Sequence, residues 1–573
     1  MALHHTSLTR RALVLSIPLA GLATALVGCN ANNPKPGATS SSAAGSATSA
    51  APASKGGTLR ILTSSSAVNW DPAISQSLAI TSLGLVQRRL TAWKVGSDGV
   101  TKVVPDLATD TGQVSADGKT WTFTLKDGLA FEDGNPITAA DVKYSVERSF
   151  APQLSGGLGY HKALLVGASD YSGPYDGKQL ASVEAKDDKT LVFHLNSAYG
   201  DWPWIVSMPA FSAVPKAKDN VKTYTTTPVA TGPYRVSKTV EGTSITLERN
   251  EHWDPKTDEA RGGGPDSIIF QLGQDATVAA QRLIADSGDD QFAFGASFVP
   301  AAQLAQVQTS AAKDRLVTSG PGALAYLAIN TQAKGLDDVK VRKAISLAVD
   351  RNAYRVAVGG EIAGEFADTL ITPGIPGRKQ YASLLKDVAP AGDPEQAKKL
   401  LAEAKWSGRT LKFAIADDAV SSAKAEAIQQ GLKRAGLTVT IVPLADDVLT
   451  EATTQGDGSK YDLTLSSWQP DFPSANGNIQ PLFASDQIGK GGYNISRYSN
   501  PKADELIKKA TETTDPKESG AIWAQADELI NADAPVVPLI YTKNSFLHGS
   551  KVVGFAIPAF PAYPNYLTVS VAK

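Results

Sequence analysis

Apolar and polar positions alternate in the first third of the chain, which is the pattern of half-buried strands. The run Trp121-Thr122-Phe123-Thr124-Leu125 lies between the turn dipeptides Asp117-Gly118 and Asp127-Gly128 and predicts a strand bounded by tight turns. Thr138, followed three residues later by Asp141, forms a capping box and predicts that a helix starts there. We therefore expect a strand-rich region, with an inserted helix, up to about residue 270.

Beyond residue 320 the apolar spacing changes to short strands that alternate with helices. Asp393-Pro394 supplies a helix cap and a first-turn proline. Residues 411–415, 421–434 and 437–442 predict a strand, a helix and a second strand, and residues 461–465 predict a third short strand. This half of the chain is expected to be an α/β lobe built on an open sheet.

The edge of that sheet carries the first candidate site. Ligands of open α/β sheets collect beyond the carboxyl ends of the strands. Trp468, Asp471 and Phe472 follow the predicted strand that ends at Leu465. An aromatic surface with one carboxylate suits a cationic, partly apolar ligand. A turn with a packed Trp and a solvated Asp explains the same residues, and the local pattern leaves both interpretations open.

The N-terminus has the layout of an export signal that ends at the sole cysteine, Cys29. Arg10 and Arg11 precede the apolar run Ala12–Val27, which is shorter than the roughly 20 residues of a spanning helix. Leu26-Val27-Gly28-Cys29 resembles the bacterial lipobox, which implies that residues 1–28 are removed and that the Cys29 sulfur carries lipid. The alternative is a free core cysteine. Whether export follows the general or the twin-arginine route stays open.

The residues after Cys29 predict a tether. Residues 29–56 are mainly Ala, Ser, Thr, Gly and Pro, so they bury too little apolar surface to offset the entropy cost of folding. The alternative is a folded capping element. A dually acylated cysteine anchors stably, so the folded part is expected at the outer face of the cell membrane, on the extracytoplasmic side.

Composition and motifs exclude several functional classes. The formal charge is −2 and becomes −4 once residues 1–28 leave with their two arginines, which gives no basic surface for nucleic acid. No P-loop, Gly-x-Ser-x-Gly elbow or His-Glu-x-x-His pair occurs. The six histidines are scattered. We expect no enzyme activity, no cofactor and no metal site, and the length of 573 residues predicts two or three lobes.

A set of sequence blocks spans nearly the whole mature chain. The blocks are Pro105–Ala108, Ser115–Gly128, Phe131–Val142, Thr231–Tyr234, Leu247–Trp253, Asn330–Thr331, Asp338–Ile345 and Tyr498–Leu506. These blocks, in this order, resemble the extracellular solute-binding protein family 5, the peptide, dipeptide and nickel receptors of ATP-binding-cassette importers.

The resemblance implies an α/β fold of the two-lobed periplasmic-binding-protein type, the Venus flytrap, with an additional β-rich subdomain on lobe I. By analogy, lobe I comprises residues 57–270 and the returning segment 540–573, and lobe II comprises residues 275–538. The hinge is then expected near residues 270–274 and 535–541. Hinges of this kind let ligand contacts from both lobes stabilise the closed form.

The resemblance also implies ligand-binding residues. In peptide-binding members, the Asp of a Trp-x-x-Asp stretch accepts the α-ammonium of the ligand, which matches Asp471 and makes Trp468 an aromatic wall. Phe472 beside them and Tyr160 on lobe I complete the candidate set. Pro473-Ser474-Ala475 departs from the family pattern of a second acidic residue and a proline, which puts the loop shape and the peptide preference in doubt.

The implied function is that of a lipid-anchored receptor that captures oligo- or dipeptides by lobe closure. It is expected to act as a monomer and to deliver its ligand to permease subunits that work with separate ATPase subunits. Two alternatives remain. One is a receptor for a metal chelate, haem or oligosaccharide, and the other is an envelope adhesin or signalling lipoprotein without transport.

Overall fold

A computed structural model describes residues 55–96 and 99–572. The predicted signal 1–28, Cys29 and all but the last residues of the predicted tether lie outside this part of the chain. Within it, no helix combines the length and apolarity needed to cross a bilayer.

Strands occur throughout the described chain. The strands are β1 (Thr58–Leu62), β2 (Thr91–Val95), β3 (Thr101–Pro105), β4 (Gln113–Val114), β5 (Thr120–Thr124), β6 (Val183–Ala185), β7 (Thr190–His194), β8 (Tyr234–Val240), β9 (Ser244–Arg249), β10 (Ser267–Gln271), β11 (Ala293–Gly295), β12 (Leu316–Thr318), β13 (Leu324–Ile329), β14 (Gly364–Phe366), β15 (Leu411–Ala416), β16 (Val439–Leu444), β17 (Leu463–Trp468), β18 (Val536–Thr542), β19 (Ser545–Leu547), β20 (Val552–Val553) and β21 (Ser570–Val571).

The three longest helices of the described residues fall in the second half of the chain. The α-helices are α1 (Ser82–Val86), α2 (Ala139–Arg148), α3 (Tyr160–Leu164), α4 (Trp202–Ile205), α5 (Ala276–Ala285), α6 (Ala301–Gln308), α7 (Val339–Ala348), α8 (Arg351–Ala357), α9 (Pro394–Glu403), α10 (Ala419–Arg434), α11 (Asp446–Thr450), α12 (Ala475–Phe483), α13 (Pro501–Glu512) and α14 (Pro516–Asp533).

Most strands in the first part of the chain belong to two sheets, and β2 and β3 form a separate antiparallel pair. A five-stranded sheet has the order β11-β1-β10-β9-β8, and β1 is parallel to both of its neighbours. A four-stranded sheet, β4-β5-β7-β6, carries the predicted alternation, because Trp121 and Phe123 of β5 are buried. The predicted capping box is confirmed at the start of α2, where the Thr138 and Asp141 side chains cap each other's backbone.

The second part is built on a six-stranded sheet with the order β14-β18-β13-β17-β15-β16. The predicted strand–helix–strand unit is confirmed as β15, α10 and β16, and the two strands are parallel. The third predicted strand, β17, starts and ends later than expected and runs as far as Trp468. The side chains of the Asp393 and Asp418 caps accept backbone hydrogen bonds at the starts of α9 and α10.

The two faces of the six-stranded sheet contribute to different cores. One face packs with α7, α9 and α10, as Leu327, Ile345 and Ile428 show. Tyr326 and Ala328 share their core instead with Ile479 of α12 and Trp523 of α14, and this core continues into the five- and four-stranded sheets. Helices α12 and α14 therefore belong to the core that joins the two parts of the molecule.

Two antiparallel segments cross between the parts as one ribbon. β13 pairs with β18, and β12 pairs with β19. Between these pairs the Gly322 N–H donates to Thr542 O at 2.9 Å, and the Ser319 N–H donates to Asn544 O at 2.8 Å. We call residues 319–323 and 542–544 the crossover ribbon.

The lobe boundaries remain a prediction, but the strand pairing bears on them. β11 lies beside β1 in the five-stranded sheet, although its residues fall in the range 275–538 predicted for lobe II. Sheet membership follows from hydrogen bonds between distant residues, so it is not visible in local sequence. The pairing favours the crossover ribbon, rather than residues 270–274 and 535–541, as the hinge.

Candidate functional site

The predicted site lies on the segment that links β17 to α12. Pro470 and Pro473 interrupt the strand because neither has a backbone N–H to give to a sheet. Ser474 then starts α12, since its side chain accepts the Asn476 N–H. β15 and β17 are parallel, so the segment leaves the sheet at the edge where the carboxyl ends of these strands meet.

The end of β17 presents a partly open backbone edge. β17 pairs with β13 over its full length, but it pairs with β15 only at Leu463 and Thr464. Residues 465–468 therefore have one strand neighbour in the described chain. Ser467 on this stretch is exposed. Such an edge can hydrogen-bond an extended ligand.

Asp471 accepts a hydrogen bond from Tyr160, the first residue of α3. The Tyr160 hydroxyl donates to Asp471 Oδ2 at 2.5 Å, and both side chains are partly buried. Burial, and then the negative charge of Asp471, raise the pKa of Tyr160 well above its usual range. The phenol thus keeps its proton, and Asp471 faces a neutral donor.

Phe472 and Trp468 occupy different surroundings beside this pair. Phe472 is 1% exposed, and its ring meets the Tyr160 ring edge-on, with centroids 5.6 Å apart. It therefore supports the Tyr160 ring from within the core. The Trp468 indole N–H donates to Gly477 O at 2.7 Å, which fixes a ring that is only partly buried. The outer neighbour of that ring is Tyr493, with centroids 5.0 Å apart.

A second set of contacts joins α12 to the residues before α4. The Ser474 hydroxyl donates to Asp201 Oδ2 at 2.9 Å, and Asn476 Nδ2 donates to the Tyr199 hydroxyl at 3.1 Å. Burial raises the pKa of Asp201 to about 6, although the hydrogen bonds from Ser474 and Asn476 oppose the shift. Asp201 is therefore an acid that titrates near neutrality.

Between these residues, backbone meets backbone at Gly200. Its N–H donates to Thr511 O at 2.9 Å. A Cβ at residue 200 would lie 2.1 Å from Thr513 O, so only glycine fits this approach. Three side-chain pairs lie around this approach, and we call them together the jaw contact. The pairs are Asp471 with Tyr160, Ser474 with Asp201, and Asn476 with Tyr199.

Sequence reasoning missed Tyr199, Asp201 and Tyr493. Asp201 precedes Trp202-Pro203 and has the sequence appearance of a helix cap, yet its side chain makes no cap hydrogen bond. Tyr493 ends the turn-like Gly489-Lys490-Gly491-Gly492. An Asp in a helix-cap position and an aromatic residue after a glycine-rich turn were the available sequence signals, but neither reveals its distant partner.

The described residues, 55–96 with 99–572, contain no group of three or more His, Cys, Asp or Glu side chains arranged to hold a metal ion. What the site offers is one carboxylate, aromatic faces and a strand edge. This set suits an ammonium group on an extended, partly apolar molecule.

Two known binding proteins are similar to this chain in sequence. The glutathione-binding protein GsiB of Salmonella paratyphi A is 26% identical over 457 residues, which cover 78% of this chain and 82% of that protein. The dipeptide-binding protein DppE of Bacillus subtilis is 25% identical over 456 residues, which cover 77% of this chain and 79% of DppE.

Among solved structures, the clavulanic acid biosynthesis oligopeptide binding protein 2 superposes with a TM-score of 0.83 at 28% identity, covering 91% of this chain and 97% of that one. The open form of the murein tripeptide binding protein MppA has a TM-score of 0.77 at 22% identity, covering 92% of this chain and 99% of that one. The second likeness supports the two-lobed fold alone.

The family model for bacterial extracellular solute-binding proteins, family 5 Middle, matches residues 102–490. The match spans more than half of the chain and includes β17, Trp468 and Asp471. The predicted resemblance and the predicted two-lobed α/β fold are therefore confirmed. This chain belongs to the bacterial extracellular solute-binding proteins of family 5.

Proposed function

We propose that this protein is the lipid-anchored, extracytoplasmic receptor of an ATP-binding-cassette importer, and that it captures peptides through Asp471. The observation that carries the proposal is the location of Asp471, directly beyond the open end of β17 and against Tyr160 from the facing part of the molecule. A charge anchor and a backbone edge thus adjoin each other.

Asp471 supplies the anchor for the α-ammonium of the peptide. Tyr160 uses Oδ2 of the carboxylate, and a ligand ammonium binds through Oδ1 or takes the place of the phenol. In the bond between ammonium and carboxylate both partners are charged, whereas in the bond between the phenol and the same carboxylate only the acceptor is charged. The exchange of the phenol for the ammonium therefore adds the attraction between opposite charges.

The open edge at residues 465–468 supplies the main-chain contacts. A peptide added as a strand there pairs its backbone with β17, so part of its affinity is independent of its side chains. This explains how a receptor of this type accepts more than one peptide. The names of two relatives, a glutathione-binding and a dipeptide-binding protein, fit this ligand class, because both ligands carry a free ammonium group.

Closure brings the lobes together on the ligand. We assign residues 57–318 and 545–572 to lobe I and residues 324–541 to lobe II, with the crossover ribbon as the hinge. The jaw contact then joins the lobes, and ligand contacts from both sides stabilise the closed form. The monomer suffices for this motion.

Lipid on Cys29 keeps the receptor beside its permease and the associated ATPase subunits. A tether of residues 29–56 raises the local concentration of the receptor at the transporter, and two acyl chains hold it stably. Replacement of Cys29 by Ala is expected to release an intact binder into the medium and to lower uptake at unchanged ligand affinity. A fall in affinity would show that Cys29 has a structural role instead.

The ligand class is tested on the purified protein. Native mass spectrometry is expected to find peptides of two to five residues bound to it. Calorimetry then compares trialanine with N-acetyl-trialanine, and the acetylated form is expected to bind at least tenfold more weakly, because it lacks the ammonium. Equal affinities for the free and the acetylated peptide would show that the protein does not anchor the ligand ammonium. A bound chelate, haem or sugar would show that the ligand is not a peptide, but the proposed role as a receptor would stand.

A further inference from the structure

Helix α13 ends against the facing part of the molecule. The last carbonyls of a helix have no partner within that helix, so donors from outside it must satisfy them. The Ala510 carbonyl accepts the Ser519 hydroxyl of α14 at 2.8 Å. The next carbonyl, that of Thr511, accepts the Gly200 N–H at 2.9 Å. The end of α13 is thus capped in part by its neighbour α14 and in part by Gly200, which lies just before α4.

The approach at Gly200 is close because backbone packs directly on backbone. A Cβ at residue 200 would lie 2.1 Å from Thr513 O and 3.3 Å from Thr514 Cα, and backbone atoms cannot turn aside as a flexible side chain can. Beside this point, a Cβ at Gly118, in the turn between β4 and β5, would lie 2.7 Å from Ala198 Cβ and 3.5 Å from Thr514 Cγ2. Gly118 and residues 198–200 therefore both lie against the turn between α13 and α14.

We propose that this contact is a latch that holds part of the receptor closed before a ligand binds. The latch comprises the hydrogen bond between Gly200 and Thr511 and the packing of Gly118 and residues 198–200 on residues 513–514. The inference rests on the proposed function, because it takes residues 198–200 and 511–514 to lie on opposite lobes. Every atom of the latch belongs to the protein, so the latch forms without a ligand.

The latch biases closure without locking it. A backbone hydrogen bond contributes only modestly to stability, since water replaces the protein partner when the lobes separate. The empty receptor therefore still opens to admit a peptide. The apparent affinity for a ligand that binds across the closed cleft scales with the fraction of empty molecules that are closed. Gly200 thus sets peptide affinity through the position of the lobes.

Gly200→Ala tests the latch, because the added Cβ collides with Thr513 O. Small-angle X-ray scattering of the ligand-free protein is expected to give a larger radius of gyration for the variant than for wild type. If about half of the wild-type molecules and about a tenth of the variant molecules are closed when empty, the apparent affinity for trialanine falls about fivefold. Calorimetry measures this loss, and a thermal melt checks that the variant is folded.

Gly262→Ala is the matched control within the same proposed lobe. The Gly262 N–H also donates to a backbone carbonyl, Leu567 O, at 2.8 Å, but a Cβ there meets no atom nearer than 3.6 Å. This variant is expected to keep the wild-type radius and affinity. Thr514→Glu is a second variant on the opposite side of the latch, and its longer, charged side chain is expected to open the empty protein in the same way as Gly200→Ala.

The scattering experiment needs no ligand, so it judges the latch separately from the peptide. An unchanged radius of the empty protein in both Gly200→Ala and Thr514→Glu would overturn the latch and leave the proposed function intact. A loss of affinity at an unchanged radius would overturn it as well, because the contact would then form only with a ligand. Failure of wild type to bind any peptide would overturn the proposed function, whereas a larger radius in the two variants would still support the latch.

Discussion

Two carboxylates face in opposite directions across the jaw contact, and their surroundings differ. Asp471 accepts the Tyr160 hydroxyl at 2.5 Å, and Asp201 accepts the Ser474 hydroxyl at 2.9 Å. Asp471 lies next to an open strand edge and the partly buried Trp468 ring, whereas Asp201 lies next to Tyr199 and Asn476, which are both buried. Asp471 can therefore exchange its partner for a ligand, but Asp201 can only keep or lose its protein contacts.

The difference separates two tasks that acidic residues perform at one interface. A carboxylate that meets a cation is useful while it is charged. A carboxylate that protein surrounds without a cation costs free energy while it is charged, because burial disfavours the ionised form. On this basis, we propose that Asp471 determines which ligands bind, and we expect Asp201 to determine how readily the jaw contact forms at a given pH.

The largest expected effect is that of Asp471→Ala. The substitution should weaken the binding of peptides with a free N-terminus at least tenfold, since the ligand ammonium is left without its charge partner. Calorimetry at pH 7.5 measures the change. Asp201→Asn, measured in parallel, should change the same affinity by less than about threefold because it retains an acceptor for Ser474. Equal losses in both variants would contradict the division of tasks.

The direction in which peptide affinity changes with pH should reveal the contribution of Asp201. Its pKa is about 6 in the jaw contact, above its usual value, so forming the contact takes up a proton. The contact therefore weakens as the pH rises from about 4 to 6, and the desolvation cost of the charged carboxylate is fully present above that range. Tyr199, the titratable group that faces Asp201, keeps its proton because burial raises its pKa well above the usual range.

Peptide affinity of the wild type should accordingly rise by up to about tenfold between pH 7 and pH 5, and this gain should be absent in Asp201→Asn. The difference between the pH profiles of wild type and Asp201→Asn separates the effect of Asp201 from that of other titrating groups. An identical pH profile in both would mean that the Asp201 contact is not part of ligand capture.

The smallest expected effect is that of Tyr160→Phe. It removes the hydroxyl that competes for Asp471 and keeps the ring that packs on Phe472, so peptide affinity should change by about threefold or less. Calorimetry with trialanine measures this, and a thermal melt checks the fold. A loss as large as that of Asp471→Ala would indicate that the phenol holds the ligand as much as the carboxylate does.

Local sequence rules predicted the elements that local chemistry determines. The Thr138 capping box, the Asp393-Pro394 helix start and the unit of β15, α10 and β16 depend on residues a few positions apart, and all are present. The position of Asp471 after a strand of the α/β lobe also follows from local pattern. The role of Asp471 in binding remains a prediction.

Contacts between distant residues were beyond these rules. Asp201 and Ser474 are 273 positions apart in sequence, so a carboxylate in a helix-cap position gave no sign of its partner. The pairing of β11 with β1 is likewise set by tertiary packing, and it moves the favoured hinge to the crossover ribbon. Glycines predicted a turn before Tyr493, but not that the ring meets Trp468.

As the proposed hinge, the crossover ribbon would limit the geometry of opening. Two separate linkers would let one lobe tilt and swivel independently of the other. Here both crossing segments are hydrogen-bonded to each other, with bonds on either side of Pro321, so they bend together, much as a short strip of sheet bends across its plane. We therefore expect the proposed opening to follow nearly one bending direction, so that a membrane partner in contact with both lobes would meet one open and one closed shape.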